Sequence, residues 1–115
     1  MYQRASQRYQ IEATAIMRQF GKPGLFLVTI LDVSTSGLRV SSPIAVPSGT
    51  RVTLVYQKTE LAGEIRYFRE VEDGQVNLGV SIETAIGPGA PLENEELNLV
   101  PLFNQGTRTV ARMAS

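Results

Sequence analysis

Two short runs in this 115-residue chain hold residue types that could do chemistry. The first is Arg4 and Arg8, four apart in a polar lead-in. The second is Asp32-Val33-Ser34-Thr35-Ser36-Gly37, an apolar strand running into a polar turn. A guanidinium is a planar fork that bonds phosphate bidentately, matches the O6/N7 edge of guanine and lies flat on purine rings. In an extended chain the two arginines share a face about 13 Å apart, at about 3.3 Å per residue. In a bent loop they can converge on one ligand. Asp32 and Ser34 lie two apart and so share a strand face. A carboxylate there accepts from the N–H donors of guanine's pairing edge, and a hydroxyl bonds phosphate or base. Gly37 lets backbone amides approach a ligand closely, or takes a positive φ in the turn. Each run alone also has a plainer reading: solubilising arginines in a tail, and an ordinary hairpin turn.

Composition narrows the chemistry. There is no histidine and no cysteine, which removes the usual general base, the usual zinc ligands and any thiolate or disulfide. No Asp/Asn-rich calcium loop and no carboxylate pair at catalytic spacing is apparent, and Ser34 has no base to activate it, so the chain does not read as an enzyme. Formal net charge is zero, which argues against unspecific attraction to a nucleic acid polymer or a membrane. Charge is unevenly spread, however. Residues 1–59 carry seven Lys/Arg against Glu12 and Asp32, and residues 60–115 carry four Arg against nine Asp/Glu. The basic half could attract a small anion. No signal-peptide core and no apolar run of membrane-spanning length is present, so the chain reads as a soluble cytoplasmic protein.

The elements that must position these residues are short strands. Residues 1–8 are polar, without periodicity, and read as a flexible lead-in. From Tyr9 to Arg18 the chain alternates, with Ile11, Ala13, Ala15 and Met17 on one face. Gly21-Lys22-Pro23-Gly24 is a turn. Leu25 to Val33 is apolar on both faces. Placing Leu25, Leu27, Leu31 and Val33 inside puts Asp32 and Ser34 outside, with Phe26, Val28 and Ile30. A C-terminal helix, or a second subunit in a homodimer, would then cover those three. Leu38 to Ser41 returns as the paired strand. Val52, Leu54 and Tyr56 face inward from a fourth strand. Leu61, Gly63, Ile65 and Tyr67 form the inner face of a fifth, with Ala62, Glu64, Arg66 and Phe68 outside. Asp73-Gly74 is a hairpin signal, and Val76, Leu78, Val80 and Ile82 make a sixth strand. Leu92 to Val100 is compatible with one short helix ended by Pro101, and residues 104–115 read as a frayed, disordered tail. Six short strands joined by short turns predict an all-β, antiparallel barrel over residues 9–103.

Taken together, Arg4-x-x-x-Arg8 and Asp32-x-Ser34-x-x-Gly37 resemble the PilZ domain family. Leu38-Arg39-Val40 and the Asn77-Leu78-Gly79-Val80-Ser81-Ile82 strand are similar as well, and the likeness spans about residues 3–84. Many members carry a further arginine where this chain has Gln3. The resemblance implies a six-stranded barrel that binds the bacterial second messenger cyclic di-GMP and needs no cofactor. It assigns phosphate and guanine edges to Arg4 and Arg8, the base to Asp32 and Ser34, and the turn to Gly37, with Arg39 and Gly79 beside them. Ligand binding would order the arginine loop and present a new surface to a downstream protein partner. The alternative is a protein–protein interaction adaptor of the same family that binds nucleotide weakly or not at all.

Overall fold

A computed structural model describes residues 8–88 and 97–103. Arg4, Gln3 and the rest of residues 1–7, the first part of the predicted helix (residues 92–96) and the tail at 104–115 lie outside the described residues. Six strands form: β1 (Tyr9–Gln19), β2 (Phe26–Val33), β3 (Gly37–Ser42), β4 (Arg51–Tyr56), β5 (Thr59–Glu70) and β6 (Val76–Ile86). They close into a barrel in the order β1-β2-β3-β6-β5-β4, with every neighbouring pair antiparallel. Closure leaves no sheet edge unpaired.

Alternation decides which side chains fill the barrel. Ala15 and Met17 on β1, Leu38 and Val40 on β3, Val52 and Leu54 on β4, and Leu78, Val80 and Ile82 on β6 are all buried, as their spacing predicts. The turns follow local chemistry. Gly21 and Gly24 take φ of 80° and 102° between β1 and β2. Asp73 and Gly74 take 64° and 72° between β5 and β6, the left-handed pair that a tight hairpin requires.

β2 differs from the expectation. Val28 and Ile30 are buried in the core, whereas Leu25 and Leu27 are 66% and 67% exposed. The cause is a register shift between Ile30 and Asp32 against β3. Ile30 faces Val40 and Val33 faces Leu38, both pairs buried, with Asp32 opposite Arg39 between them. One extra residue on β2 therefore flips the alternation partway along the strand. The inside set is Val28, Ile30 and Val33, yet Asp32 still points outward.

β5 is corrected in the same way. Thr59, Leu61 and Ile65 are buried, but Tyr67 is not an inner-face residue: it is 45% exposed. A register shift between Ile65 and Tyr67 inserts Arg66 as the extra residue. The carbonyl of Arg66, freed from the ladder, accepts a hydrogen bond from Ser48 Oγ at 2.9 Å.

The C-terminal segment closes one end of the core. Residues 100–103 make a single helical turn, so Pro101 lies within it instead of ending a helix there. Proline is tolerated in a first turn, where its missing N–H has no partner to lose. Asn98 Oδ1 accepts from the Val100 N–H at 3.1 Å and starts the turn. Leu99, Leu102 and Phe103 are buried, and the Phe103 ring sits 4.5 Å from that of Tyr56, centroid to centroid. These side chains plug the barrel; they do not cover Phe26, Val28 and Ile30 from outside.

Candidate functional site

The β2 and β5 bulges bring four residues into one lateral row on the barrel's outer face. Asp32 on β2 stands opposite Arg39 on β3, Arg39 opposite Gly79 on β6, and Gly79 opposite Tyr67 on β5. The next row carries Gly37, Ser81 and Glu64. Without either bulge, Asp32 or Tyr67 would turn to the other face, since a shift of one residue reverses every side chain beyond it.

The β2–β3 turn is fixed by its own side chain and by its neighbours. The Ser34 N–H donates to the Gly37 carbonyl at 2.9 Å, and the Gly37 N–H donates back to Ser34 Oγ at 3.2 Å. The Ile82 N–H donates to the Ser36 carbonyl at 2.8 Å, and the Leu99 N–H to the Thr35 carbonyl at 2.9 Å. Gly37 has no positive φ; its role is close approach. A methyl group built there would lie 3.3 Å from both Ser34 Oγ and the Val80 carbonyl oxygen.

Beside this turn lies an open cavity of about 320 Å³, lined by Arg8, Ser34, Gly37, Arg66, Tyr67 and Gly79 among others. Gly37 contributes backbone to its lining, and Gly79 lies buried beneath a neighbouring side chain. The Tyr67 ring packs directly on Gly79: a methyl group at that glycine would fall 2.0 Å from Tyr67 Cε2. Arg8 reaches in from the start of β1, and Asp32 ties it down. Arg8 Nε donates to Asp32 Oδ1 at 2.6 Å, and Arg39 Nη2 approaches Asp32 Oδ2 at 2.7 Å. Two guanidinium groups against one carboxylate leave this cluster with a surplus positive charge, suited to an anion. Outside the cavity's lining, Arg51 makes a bidentate pair with Glu83 at 3.1 and 2.7 Å. That pairing holds the Glu83 carboxyl below its ordinary value.

Of the residues singled out in the sequence, Arg8, Ser34, Gly37 and Gly79 meet at one cavity. Asp32 and Arg39 adjoin it through Arg8 without lining it. Arg4 lies outside the described residues. Arg66, Tyr67, Ser36 and Ser81 line the cavity and were missed. Two signals pointed to Tyr67. Ile65-Arg66-Tyr67-Phe68 breaks strict alternation, and a glycine in mid-strand at Gly79 marks a close approach from a neighbour.

A family model described as PilZ domain matches residues 2–95 of the chain. No curated protein matches it.

Proposed function

The chain belongs to the PilZ domain family, in general one of cyclic di-GMP-binding and effector modules, and from that premise we propose that this protein is itself a non-catalytic cyclic di-GMP receptor. The observation that carries the reading is the meeting of Arg8, Ser34, Gly37 and Gly79 at a single cavity on the barrel's outer face. A dianionic dinucleotide supplies phosphates for the Arg8 guanidinium and flat bases for the Tyr67 ring. Arg4 joins from the lead-in as a second guanidinium. No helix among the described residues is long and apolar enough to cross a membrane. The site is proposed to work in the cytoplasm of a bacterium, on a downstream protein partner.

Ligand binding orders the arginine loop in this proposal. Arg8 is already tied to Asp32, so the ordering proposed here concerns residues 1–7, whose largely polar sequence offers little burial against an ordering entropy of about 1–2 kcal/mol per residue. Phosphates remove the repulsion between Arg4 and Arg8 and add bidentate bonds. Amide hydrogen exchange on residues 2–7 tests this: protection should rise on saturation with cyclic di-GMP. Equal protection in the free and saturated protein would show a preformed loop and no switch.

A second reading, an interaction adaptor, rests on one observation. Phe20, Leu25 and Leu27 are exposed at the β1–β2 end of the barrel, and Ile16 stands opposite Leu27. Sedimentation with and without nucleotide distinguishes the two. A strict monomer at all concentrations would count against the adaptor.

A further inference from the structure

We propose that the outer face centred on β1 binds a second copy of this chain, in an antiparallel, face-to-face twofold dimer whose two cavities point away from the interface. The inference deepens the adaptor reading above by naming its partner, and it rests on the exposed face which that reading uses.

This face lies across the barrel from the cavity. In the closed order β1-β2-β3-β6-β5-β4, β1 stands opposite β6, and the cavity's strand residues lie on β3, β6 and β5. Phe20, Leu25 and Leu27 are 84%, 66% and 67% exposed, and Ile16 is 39% exposed. Ile16 stands opposite Leu27 on β2 and Val55 on β4, so the apolar surface runs across three adjoining strands. At about 150–200 Å² for a large apolar side chain, the four exposed residues present about 400–500 Å² to solvent. A patch of that size is often functional. The closed barrel offers no strand edge for a partner to extend, so a partner must pack on the side chains of the face.

Charge selects the partner. The outward side chains of β1 run Glu12, Thr14, Ile16 and Arg18. Glu12 and Arg18 are exposed, opposite in sign, and in no ion pair among the described residues. A twofold axis running along β1 would set Arg18 against Arg18 of the second copy. An axis crossing β1 near Ala15, in the plane of contact, sets each Glu12 against Arg18 of the other copy. That contact occurs twice in one interface, with Ile16 and Leu27 between the pairs. The face is thus complementary to itself, as an isologous dimer requires. An anionic surface would engage Arg18 but leave Glu12 facing like charge. Sheets packed face to face keep their strands within about 30° of one another, which suits an antiparallel β1 pair. The chain has zero net charge, so no long-range repulsion opposes association. Two such patches with their polar rims reach the low end of the range of about 1,200–2,000 Å² for a specific interface, which makes the dimer reversible and micromolar.

Sedimentation velocity of the full chain over about 1–500 µM reads the association. The weight-average mass of the wild type should rise from monomer toward dimer. Glu12→Arg and Arg18→Glu should each weaken association about tenfold or more, since each turns two attractive contacts into two repulsive ones. An equimolar mixture of these two variants should recover it, because every contact between unlike partners is again of opposite sign. Both positions are exposed, so thermal unfolding of the two variants should match the wild type. Association should be the same with and without cyclic di-GMP. A wild type that stays monomeric throughout, or a mixture that associates no better than either variant alone, would overturn the proposal. Dissociation driven by the nucleotide would put the cavity at the interface and overturn the arrangement. The adaptor reading is decided separately: capture of a different protein, abolished by Leu27→Ser, would leave it standing beside a monomeric wild type.

Discussion

Replacing Gly79 with alanine separates the site from the scaffold. The added methyl would lie 2.0 Å from Tyr67 Cε2, 2.5 Å from Cδ2 and 2.6 Å from Cζ. Carbon atoms settle at about 3.5–4.0 Å, so the ring must retreat by about 1.5–2 Å. It can do so, because Tyr67 is a half-exposed side chain on the outer face and swings toward solvent. The stability loss should therefore sit near 1 kcal/mol, the low end of the range of about 1–3 kcal/mol for added volume. Gly63→Ala is the control. Its methyl would fall 1.9 Å from the Ser81 carbonyl oxygen and 2.9 Å from Ile82 Cα, both backbone of the paired strand. Backbone cannot swing aside, so that variant should lose about 3 kcal/mol or more. Urea denaturation of both variants reads the difference. Cyclic di-GMP affinity of Gly79→Ala should fall about 2- to 12-fold, the worth of one aromatic stacking contact. Equal destabilisation by the two changes, or Tyr67 ring resonances unmoved in Gly79→Ala, would refute the reasoning.

Phe103→Ala removes a buried ring packed on Tyr56 and should cost about 3–5 kcal/mol in denaturant unfolding while leaving the cavity residues in place. Burial pushes the Tyr56 phenol above its ordinary value. The unfolded chain therefore releases that proton first, and stability should fall as pH rises beyond about 10. Unfolding midpoints followed through that range should drop more for the wild type than for Tyr56→Phe, and parallel curves would count against the assignment. Leu27→Ser on the exposed outer face should leave stability within about 0.5 kcal/mol and nucleotide affinity unchanged. A loss of self-association or partner capture in the same variant would support the adaptor reading.

The barrel was legible because its signal is local. Alternation in β1, β4 and β6, the Asp73-Gly74 turn and the glycines at 21 and 24 each declare their conformation within a few residues. The β2 face was not legible. Leu25 to Val33 is apolar on both sides, so periodicity offers no preference. The deciding feature is a bulge against β3, which is set by pairing with a distant strand. For Tyr67 the sequence offers a break in alternation and the mid-strand Gly79, but its outward turn is settled only by Arg66 being the extra residue opposite β6. The site motif was legible as a set of residue types, and Asp32 was rightly placed outward. Its partners were not visible in the sequence. The 24-residue separation of Arg8 and Asp32 gives no sign that one holds the other. Pro101 misled for a simpler reason: a proline ends one helix and begins another with equal ease, and here it sits in the first turn.

The central claim is most directly tested by calorimetric titration of the full chain with cyclic di-GMP, run beside Arg8→Ala. Saturable heat in the wild type, with affinity lowered about 10- to 150-fold in the variant, is the expected result. No heat and no competition at high ligand concentration, or an affinity that Arg8→Ala leaves unchanged, would contradict it.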